Sequence, residues 1–461
     1  MERGYLRQAK IWPLLTEDHE LPPGLQEVRA FLDVLAECDQ EMRRALIAER
    51  GHGRDDYPVV AMWKLMALQL FLRKGFFTDL LGELRRNADL SRLLGFNEVL
   101  PGIFALPDST VVSRMHVKLK EDAYQARLKR IQEKTVELLR LEDPSIGEHT
   151  AEDSTDIRTH GHAARHKGDS EKEKPATDPE ATWSVKTKRW KGADGKPHEE
   201  KKCTFGYKAC LNVDVRQPVI LELQTVTGST NDQLLALPVL EGAVRIVGRG
   251  VMHTCAEDKG FDSEDNVKEA YRDLNVAVIV PTRDVPENLD KLPPEDRELS
   301  LQTGGNVVRD KYTGEIACYE KSVGSEPIRR EMKYAGFDKE REVHKFRCPL
   351  GAAAATSCKA FASCSAGLGG EQGRQVRVDM KTDYRRFAPV YPRSKNWERL
   401  YDGRTAVERV NSYIKEVLRL EAHCLRGLKT INTRVLLAAV TLNLRTLLAL
   451  RAAVQRLKAA G

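Results

Sequence analysis

Three acidic side chains, far apart along the chain, have the residue types that could do chemistry. Asp153 lies in Gly147-Glu148-His149-Thr150-Ala151-Glu152-Asp153-Ser154-Thr155, Asp258 in Val251-Met252-His253-Thr254-Cys255-Ala256-Glu257-Asp258-Lys259-Gly260-Phe261-Asp262, and Glu408 in the stretch from Tyr401 to Lys415. Asp153 and Asp258 each follow a short strand-like run and precede a turn. On an unbroken α-helix, at roughly 100° per residue, Tyr401, Arg404, Glu408 and Lys415 fall inside an arc of about 60°. Val407, Val410, Ile414, Val417 and Leu418 centre about 120° away, so one side packs on a core and the other presents a carboxylate among cations. Alone, such a helix reads as a solvated face with weak i,i+4 pairing. Joined by two more carboxylates it suits phosphate chemistry, with Glu152, Asp156, Glu257 and Asp262 as alternative ligands.

The Tyr-x2-Arg-x3-Glu-x6-Lys spacing, set in Arg404-Thr405-Ala406-Val407-Glu408-Arg409, resembles the YREK signature of insertion-sequence transposases with an RNase H-like DDE core, at all four positions. Gly206-Tyr207-Lys208 and His423-Cys424-Leu425-Arg426-Gly427-Leu428-Lys429 extend the likeness, which runs from about residue 50 to residue 450. The resemblance implies an α+β fold: an RNase H-like mixed sheet flanked by helices, interrupted by a β-rich insertion and preceded by an all-helical domain. It also implies that Asp153, Asp258 and Glu408 are both catalytic and metal-binding. Phosphodiester cleavage stabilises charge on the attacking and departing oxygens, and two Mg²⁺ ions about 3.5–4 Å apart do this with carboxylate ligands. Asp153 is expected to bridge both ions, with Asp258 and Glu408 each completing one; Mn²⁺ is an expected substitute. Water attack would free a 3′-hydroxyl at the element's end, and that hydroxyl would attack target DNA in the same site. No Ser or Tyr nucleophile is then required. Tyr401, Arg404 and Lys415 are expected to hold phosphates near the terminus, Arg404 by bidentate contact.

The implied partners are double-stranded DNA, both terminal inverted repeats and target, and a second copy of the chain in the synaptic complex. The expected location is the bacterial cytoplasm, at the nucleoid, away from any membrane. Two other readings stay open at this point: a catalytically silent DNA-binding protein derived from a transposase, and a nuclease of the same fold that does not join strands.

Composition bounds these expectations. A chain of 461 residues has room for two or three domains and a substantial core. Its 41% hydrophobic and 31% charged residues describe a soluble globular protein, and a net charge of +6 is too small at this length to indicate nucleic acid without its distribution. Nine scattered cysteines form no secreted disulfide framework and fit a reduced cytoplasm. Met1 to Lys10 is charged and lacks an apolar signal core. The Leu/Ala-rich C-terminal run is expected to fall short of a membrane span because Arg434, Arg445 and Arg451 interrupt it.

Around the three acids the chain reads as a series of helices and strands. Residues 24–50 show helical periodicity, Gly51-His52-Gly53-Arg54-Asp55-Asp56 is a polar turn, and helices are expected over Val59–Leu72 and Asp79–Leu94. Pro107-Asp108-Ser109-Thr110 starts another, with Arg114, His116, Lys118 and Lys120 as cations, and Ala123–Leu141 a further one. The resemblance makes this segment, residues 1–143, the part that grips the element's end; a helical scaffold or dimerisation module is the plainer alternative. The catalytic core begins at 144. Thr159–Glu200 reads as a flexible polar loop that orders on DNA, through Lys186, Lys188, Arg189, Lys191, Lys196, Lys201 and Lys202 with Trp183 and Trp190 interleaved. Phe205–Val215 and Pro218–Thr227 predict a hairpin, Asp232 an N-cap for the helix Gln233–Ile246, and Val251–Cys255 and Val276–Val280 two strands. Residues 282–396 are a β-rich insertion with turns at Thr303-Gly304-Gly305-Asn306 and Asp310-Lys311-Tyr312-Thr313-Gly314. Its Cys318, Cys348, Cys358, Cys364 and His344 invite a zinc reading, but no Cys-x2-Cys knuckle is present, so unpaired thiols are the plainer expectation. In related transposases a Trp in the inserted domain handles the cleaved end, and Trp397 is the corresponding candidate. The core resumes at 397 and closes with a Leu/Ala helix from about Thr430 to Leu457.

Overall fold

The computed structural model describes residues 21–50, 56–164, 175–191, 196–286, 288–301, 306–320, 326–361, 364 and 373–460. The expectations for Met1–Lys10, for residues 51–55 of the polar turn and for Thr303-Gly304-Gly305 lie outside them. The chain forms two compact units, one of Met1–Gly147, Ser154–Asn231 and Ala406–Gly461, the other of Glu148–Asp153 and Asp232–Thr405.

The first unit opens with helices α1 (Pro23–Cys38), α2 (Gln40–Arg50), α3 (Val59–Phe71), α4 (Phe77–Arg86) and α5 (Ala88–Leu94), a short hairpin of β1 (Glu98–Leu100) and β2 (Ile103–Phe104), then α6 (Ser109–Leu119) and α7 (Asp122–Glu142). Leu25, Val28, Phe31, Leu32 and Leu35 form the buried stripe of α1, whereas α3 is apolar almost all round and is an interior helix. The single helix expected over Asp79–Leu94 is two. Asn87 takes an extended conformation and its side chain accepts from the Leu90 N–H at 3.0 Å, so it ends α4 and caps α5. Asp108 caps α6 through the Val111 N–H at 2.9 Å. One expected cation on α6 is not one: His116 is enclosed, and burial first, then Arg434 and Lys120, push its pKa down to about 4, leaving it neutral.

Strands β3 (His149–Arg158), β4 (Thr182–Lys191), β5 (Pro197–Asp214) and β6 (Ile220–Thr227) follow. The second half of the stretch expected to be a flexible loop contributes β4 and the start of β5 to a two-stranded ribbon, and residues 165–174 and 192–195 lie outside the described residues. β4 runs antiparallel to β5 in register from Thr182 opposite Gly206 to Lys191 opposite Pro197. Alternate Trp183 and Val185 pair with Phe205 and Cys203, the kind of cross-strand contact that favours pleated chain despite the flanking lysines. Beyond Gly206 the same strand pairs with β6, Tyr207 opposite Thr227, as the predicted hairpin. Gly206 sits at the changeover, where an added Cβ would lie 2.2 Å from the Ile157 carbonyl oxygen of β3 and 2.8 Å from the Thr159 nitrogen. No other residue fits.

In the second unit the first half of β3 runs parallel to β7 (Thr254–Glu257), and β7 parallel to β8 (Ala277–Ile279), with helices α8 (Gln233–Val247) and α9 (Glu264–Leu274) packed on each other. The strand order is β4-β5-β3-β7-β8, with β6 on β5. β7 and β8 are fully buried, as parallel strands are. Asp232 does not cap α8: its backbone is already helical, and its side chain makes no capping bond.

Helix α10 (Pro294–Arg297) leads into β9 (Glu298–Ser300), β10 (Val307–Asp310), β11 (Ile316–Glu320) and β12 (Ile328–Glu331), an antiparallel sheet in the order β12-β11-β10-β9. The Asp310 carboxylate accepts the Tyr312 and Thr313 N–H groups, which makes the predicted turn between β10 and β11. β13 (Lys333–Asp338), β14 (Val343–Arg347) and β15 (Gln375–Asp379) form a second antiparallel sheet, with α11 (Ala354–Ser357) inserted before β15. Val307, Ile316, Met332, Phe346, Val376 and Phe387 give the two sheets one core.

Helix α12 (Lys395–Tyr401), a 3₁₀ turn over Asp402–Arg404, α13 (Thr405–Ser412) and a π turn over Tyr413–Val417 lead to α14 (Leu428–Ala460). The arginines do not interrupt α14, contrary to expectation. Leu428–Ala459 is long and apolar enough to cross a membrane by length and composition, yet 67% of its most apolar window is buried inside the protein. It packs against α7, β6, α1 and α3 as a core helix. Its arginines are accommodated one by one: Arg434 donates to the carbonyls of Arg419, Leu420 and Ala422, Arg445 to that of Phe71, and Arg451 to Glu37 and Glu142. Asn443 of α14 is fully buried and grips the edge of the sheet. Its Oδ1 accepts from the Ile220 N–H and its Nδ2 donates to the Ile220 carbonyl, both at 2.9 Å. The fold is α+β, an RNase H-like mixed sheet with helices and a helical N-terminal region.

Candidate active site

The carboxylates of Asp153 and Asp258 are set by strand register. His149, Thr150, Ala151 and Glu152 of β3 stand opposite Thr254, Cys255, Ala256 and Glu257 of β7. Asp153 and Asp258 are the next residues, just past the paired stretch; β7 ends there, but β3 runs on to Arg158, so Asp153 lies within a strand and not before the expected turn. Successive side chains alternate across a sheet, so these two acids leave on one face while Glu152 and Glu257 turn into the other. Burial agrees: Glu152 and Glu257 are 0% and 2% exposed, Asp153 is half-buried and Asp258 is exposed.

The turn after Asp258 is held by residues the sequence reading did not single out. The Asp258 carbonyl accepts from the Phe261 N–H at 2.9 Å, and Phe261 is buried beneath it. Arg283 donates Nε to the Lys259 carbonyl at 2.9 Å and its terminal nitrogen to the Gly260 carbonyl. Asp262 accepts the Arg283 N–H at 2.8 Å and pairs with Arg385 at 3.3 Å. Asp262 is thus a buried anchor behind the turn. Glu257 is enclosed as well; burial first, and the charge of Asp262 second, push its carboxyl up to about 8. Neither Arg283 nor Arg385 carries a local sequence signal, since their partners lie about twenty or more than a hundred residues away.

In the same unit α12 packs against β7 and β8, and the 3₁₀ turn after it against β7. The rings of Trp397 and Tyr401 stack at 4.9 Å and 14°, and the Arg404 guanidinium lies over Tyr401 at 5.7 Å. Trp397, Tyr401 and Arg404 therefore form one column beside the strand that ends in Asp258.

Glu408 and Lys415 belong to the other unit. Glu408 is exposed on the first turn of α13, whose Ala406, Val407 and Val410 are buried. The expected arc of four side chains on one helix is corrected here. The 3₁₀ turn at Asp402–Arg404 and the π turn at Tyr413–Val417 change the helical phase twice, so no single angle relates Tyr401, Arg404, Glu408 and Lys415. Lys415 instead donates to the Asp156 main-chain carbonyl of β3 and stands 3.5 Å from Glu421; burial lowers its pKa. Lys186 of β4 donates to the Ser154 carbonyl at 3.3 Å and lies 3.6 Å from the Asp156 carboxylate, which also accepts the Ser184 hydroxyl at 2.8 Å. Asp156 is thus the hub that draws Lys186 and Lys415 to the part of β3 just past Asp153.

Of the ribbon cations, Lys201 and Lys202 are exposed, Lys201 3.2 Å from Glu199. Lys188, Arg189 and Lys191 lie on β4, opposite Glu200, Glu199 and Pro197, and their side chains are outside the described part. Trp183 and Trp190 are exposed.

Carboxylates on neighbouring parallel strands of an RNase H-like sheet are an arrangement found among enzymes that cleave nucleic acid. The family model described as the transposase DDE domain matches residues 144–444, and the chain belongs to that family. It is a transposase, an enzyme that acts on DNA. A search of curated proteins finds no match.

Proposed function

We propose that this transposase cleaves the ends of an insertion sequence and joins the freed 3′-hydroxyls to target DNA, with Asp153, Asp258 and Glu408 as its catalytic acids. The observation that carries the reading is the parallel register that leaves Asp153 and Asp258 on the same face of the sheet, both accessible to solvent. Two carboxylates in that position supply the hard oxygen donors that Mg²⁺ prefers. Among the described residues, Asp153, Asp258 and Glu408 included, no three acidic, His or Cys side chains stand as a ligand set; the proposal takes Glu408 as the third acid. When bound, the two ions would activate the attacking oxygen and offset charge on the departing one. Asp153 would serve both ions, Asp258 and Glu408 one each, with Mn²⁺ replacing Mg²⁺.

The remaining steps fall to the chain's own cations. Arg404, held flat over Tyr401, offers a guanidinium fork to a phosphate, and Lys415 and Lys186 place positive charge along β3. The ribbon of β4 and β5, with Lys188, Arg189, Lys191, Lys201 and Lys202, would follow the DNA backbone, and residues 1–143 would grip the element's end. Residues 144–281 and 397–461 would form the catalytic core around a β-rich insertion at 282–396. The proposed assembly is a homodimer on paired ends, working in the bacterial cytoplasm at the nucleoid.

The test is metal-dependent cleavage and strand transfer on a duplex bearing the element's terminal repeat. Cleavage and joining that both vanish in Glu408→Gln, with end binding retained, support the reading. Cleavage without joining makes the protein a nuclease of this fold, and end binding without metal-dependent cleavage makes it a silent DNA-binding protein.

A further inference from the structure

Four thiols that are widely spaced in the sequence line a single cavity in the second unit. Cys318 comes from β11, in the middle of one antiparallel sheet; Cys348 follows β14 at the end of the other; Cys358 follows α11; and Cys364 lies six residues further on. Their common cavity has a volume of about 20 Å³ and is closed off by Met332 and Ala360. That is room for about one water or one ion. None of the four is in a disulfide.

The surroundings differ from those of an ordinary apolar void. Arg330 and Arg374 border the cavity, Arg374 beside Cys364 and Arg330 beside Cys318 and Cys358. Both are held by other groups that line it, Arg330 by two bonds to Glu320 and Arg374 by the Asn306 side chain at 2.8 Å. Glu320 is engaged by Arg330 and by the Lys359 N–H, which leaves sulfur as the donor set. Gly373 leaves space for Cys348: a Cβ there would lie 2.7 Å from the Cys348 Cβ and 3.0 Å from its sulfur. A tetrathiolate around a divalent ion carries two net negative charges, and two fixed guanidiniums beside it are the outer partners such a centre uses.

We propose that Cys318, Cys348, Cys358 and Cys364 bind a structural zinc ion as a tetrathiolate that ties the two antiparallel sheets together. Each thiol loses its proton to solvent as its Zn–S bond forms, with no change of oxidation state. Soft sulfur ligands select zinc here, whereas the carboxylates of Asp153 and Asp258 select hard ions. The four sulfurs do not already form a coordination shell, so loading draws them inward around the cavity. The absence of a Cys-x2-Cys knuckle follows from the topology, because the ligands come from two sheets and two short connecting segments instead of from one hairpin.

Cobalt titration of the reduced, full-length chain tests this, in an Asp153→Asn, Asp258→Asn background so that the acidic site does not contribute. The expected result is the intense visible bands and sulfur-to-metal charge transfer of a tetrahedral cobalt thiolate, saturating at about one equivalent and abolished by added zinc. A variant with all four cysteines changed to serine should lose the bands, and Cys203→Ser and Cys424→Ser should keep them. Absence of tetrahedral thiolate bands in the chain with all nine cysteines overturns the proposal, whether or not the serine variant folds. So does their survival in the serine variant.

Discussion

Glu152 and Glu257 stand opposite each other on parallel strands β3 and β7, both removed from solvent. The pair fixes which face of the sheet receives the proposed catalytic acids. With Glu152 and Glu257 on one face, the next residues, Asp153 and Asp258, leave on the other, where they reach solvent. A slip of either strand by one residue would put its Glu and Asp on the opposite faces and separate the two aspartates.

Asp258→Asn and Asp153→Asn are each expected to lower end cleavage by at least about a hundredfold, since a carboxamide is a poor ligand for a hard ion. End binding measured without divalent metal should stay within about twofold of the parent. A variant that cuts at the parental rate removes that acid from the mechanism.

Arg404→Ala should weaken binding to the terminal repeat and make the plot of log affinity against log salt shallower by about one, as for one lost phosphate contact. Lys201→Ala with Lys202→Ala should reduce the slope by about two and affect all DNA sequences alike. An unchanged slope in either case means that those cations do not touch phosphate.

The Glu257 carboxyl is raised from its ordinary 4.5 to about 8 in the folded chain. A raised acid contributes stability that is complete below about pH 4.5 and is lost as the pH climbs through about 8. Glu257→Gln keeps the shape without the titration. Its stability relative to the parent should therefore rise across that window, by an amount of the order of a few kcal/mol, followed by denaturant midpoints at pH 5 and pH 8.5. Parallel pH profiles for the two proteins would show that Glu257 does not titrate there.

Asn443→Leu leaves the Ile220 N–H without the partner it has at 2.9 Å, while the Ile220 carbonyl keeps the Gln132 side-chain donor at 3.0 Å. One buried main-chain N–H deprived of its partner costs about 2 kcal/mol, read as a lower unfolding midpoint. Gly206→Ala should cost at least as much, because its methyl would meet the Ile157 carbonyl at 2.2 Å, and relief needs β3 or β5 to move.

Much of this was legible in the sequence, and for a common reason. Helix α1, the hairpin of β5 and β6, the turn at Asp310 and the strand end before Asp258 are specified by side chains within a few residues of one another. The Tyr401, Arg404, Glu408 and Lys415 spacing likewise identified the family without coordinates. What the tertiary structure decided depends on partners remote in sequence. The lysine-rich stretch after Thr182 is a strand because β5 lies alongside it. His116 is neutral because the protein encloses it, and α14 is a core helix because main-chain carbonyls and acids elsewhere receive its arginines. Asp262 is an anchor because Arg385 reaches it from 123 residues away, and four dispersed thiols share a cavity because two sheets meet there. Local patterns carry propensity and face, but burial and long-range pairing are properties of the folded chain.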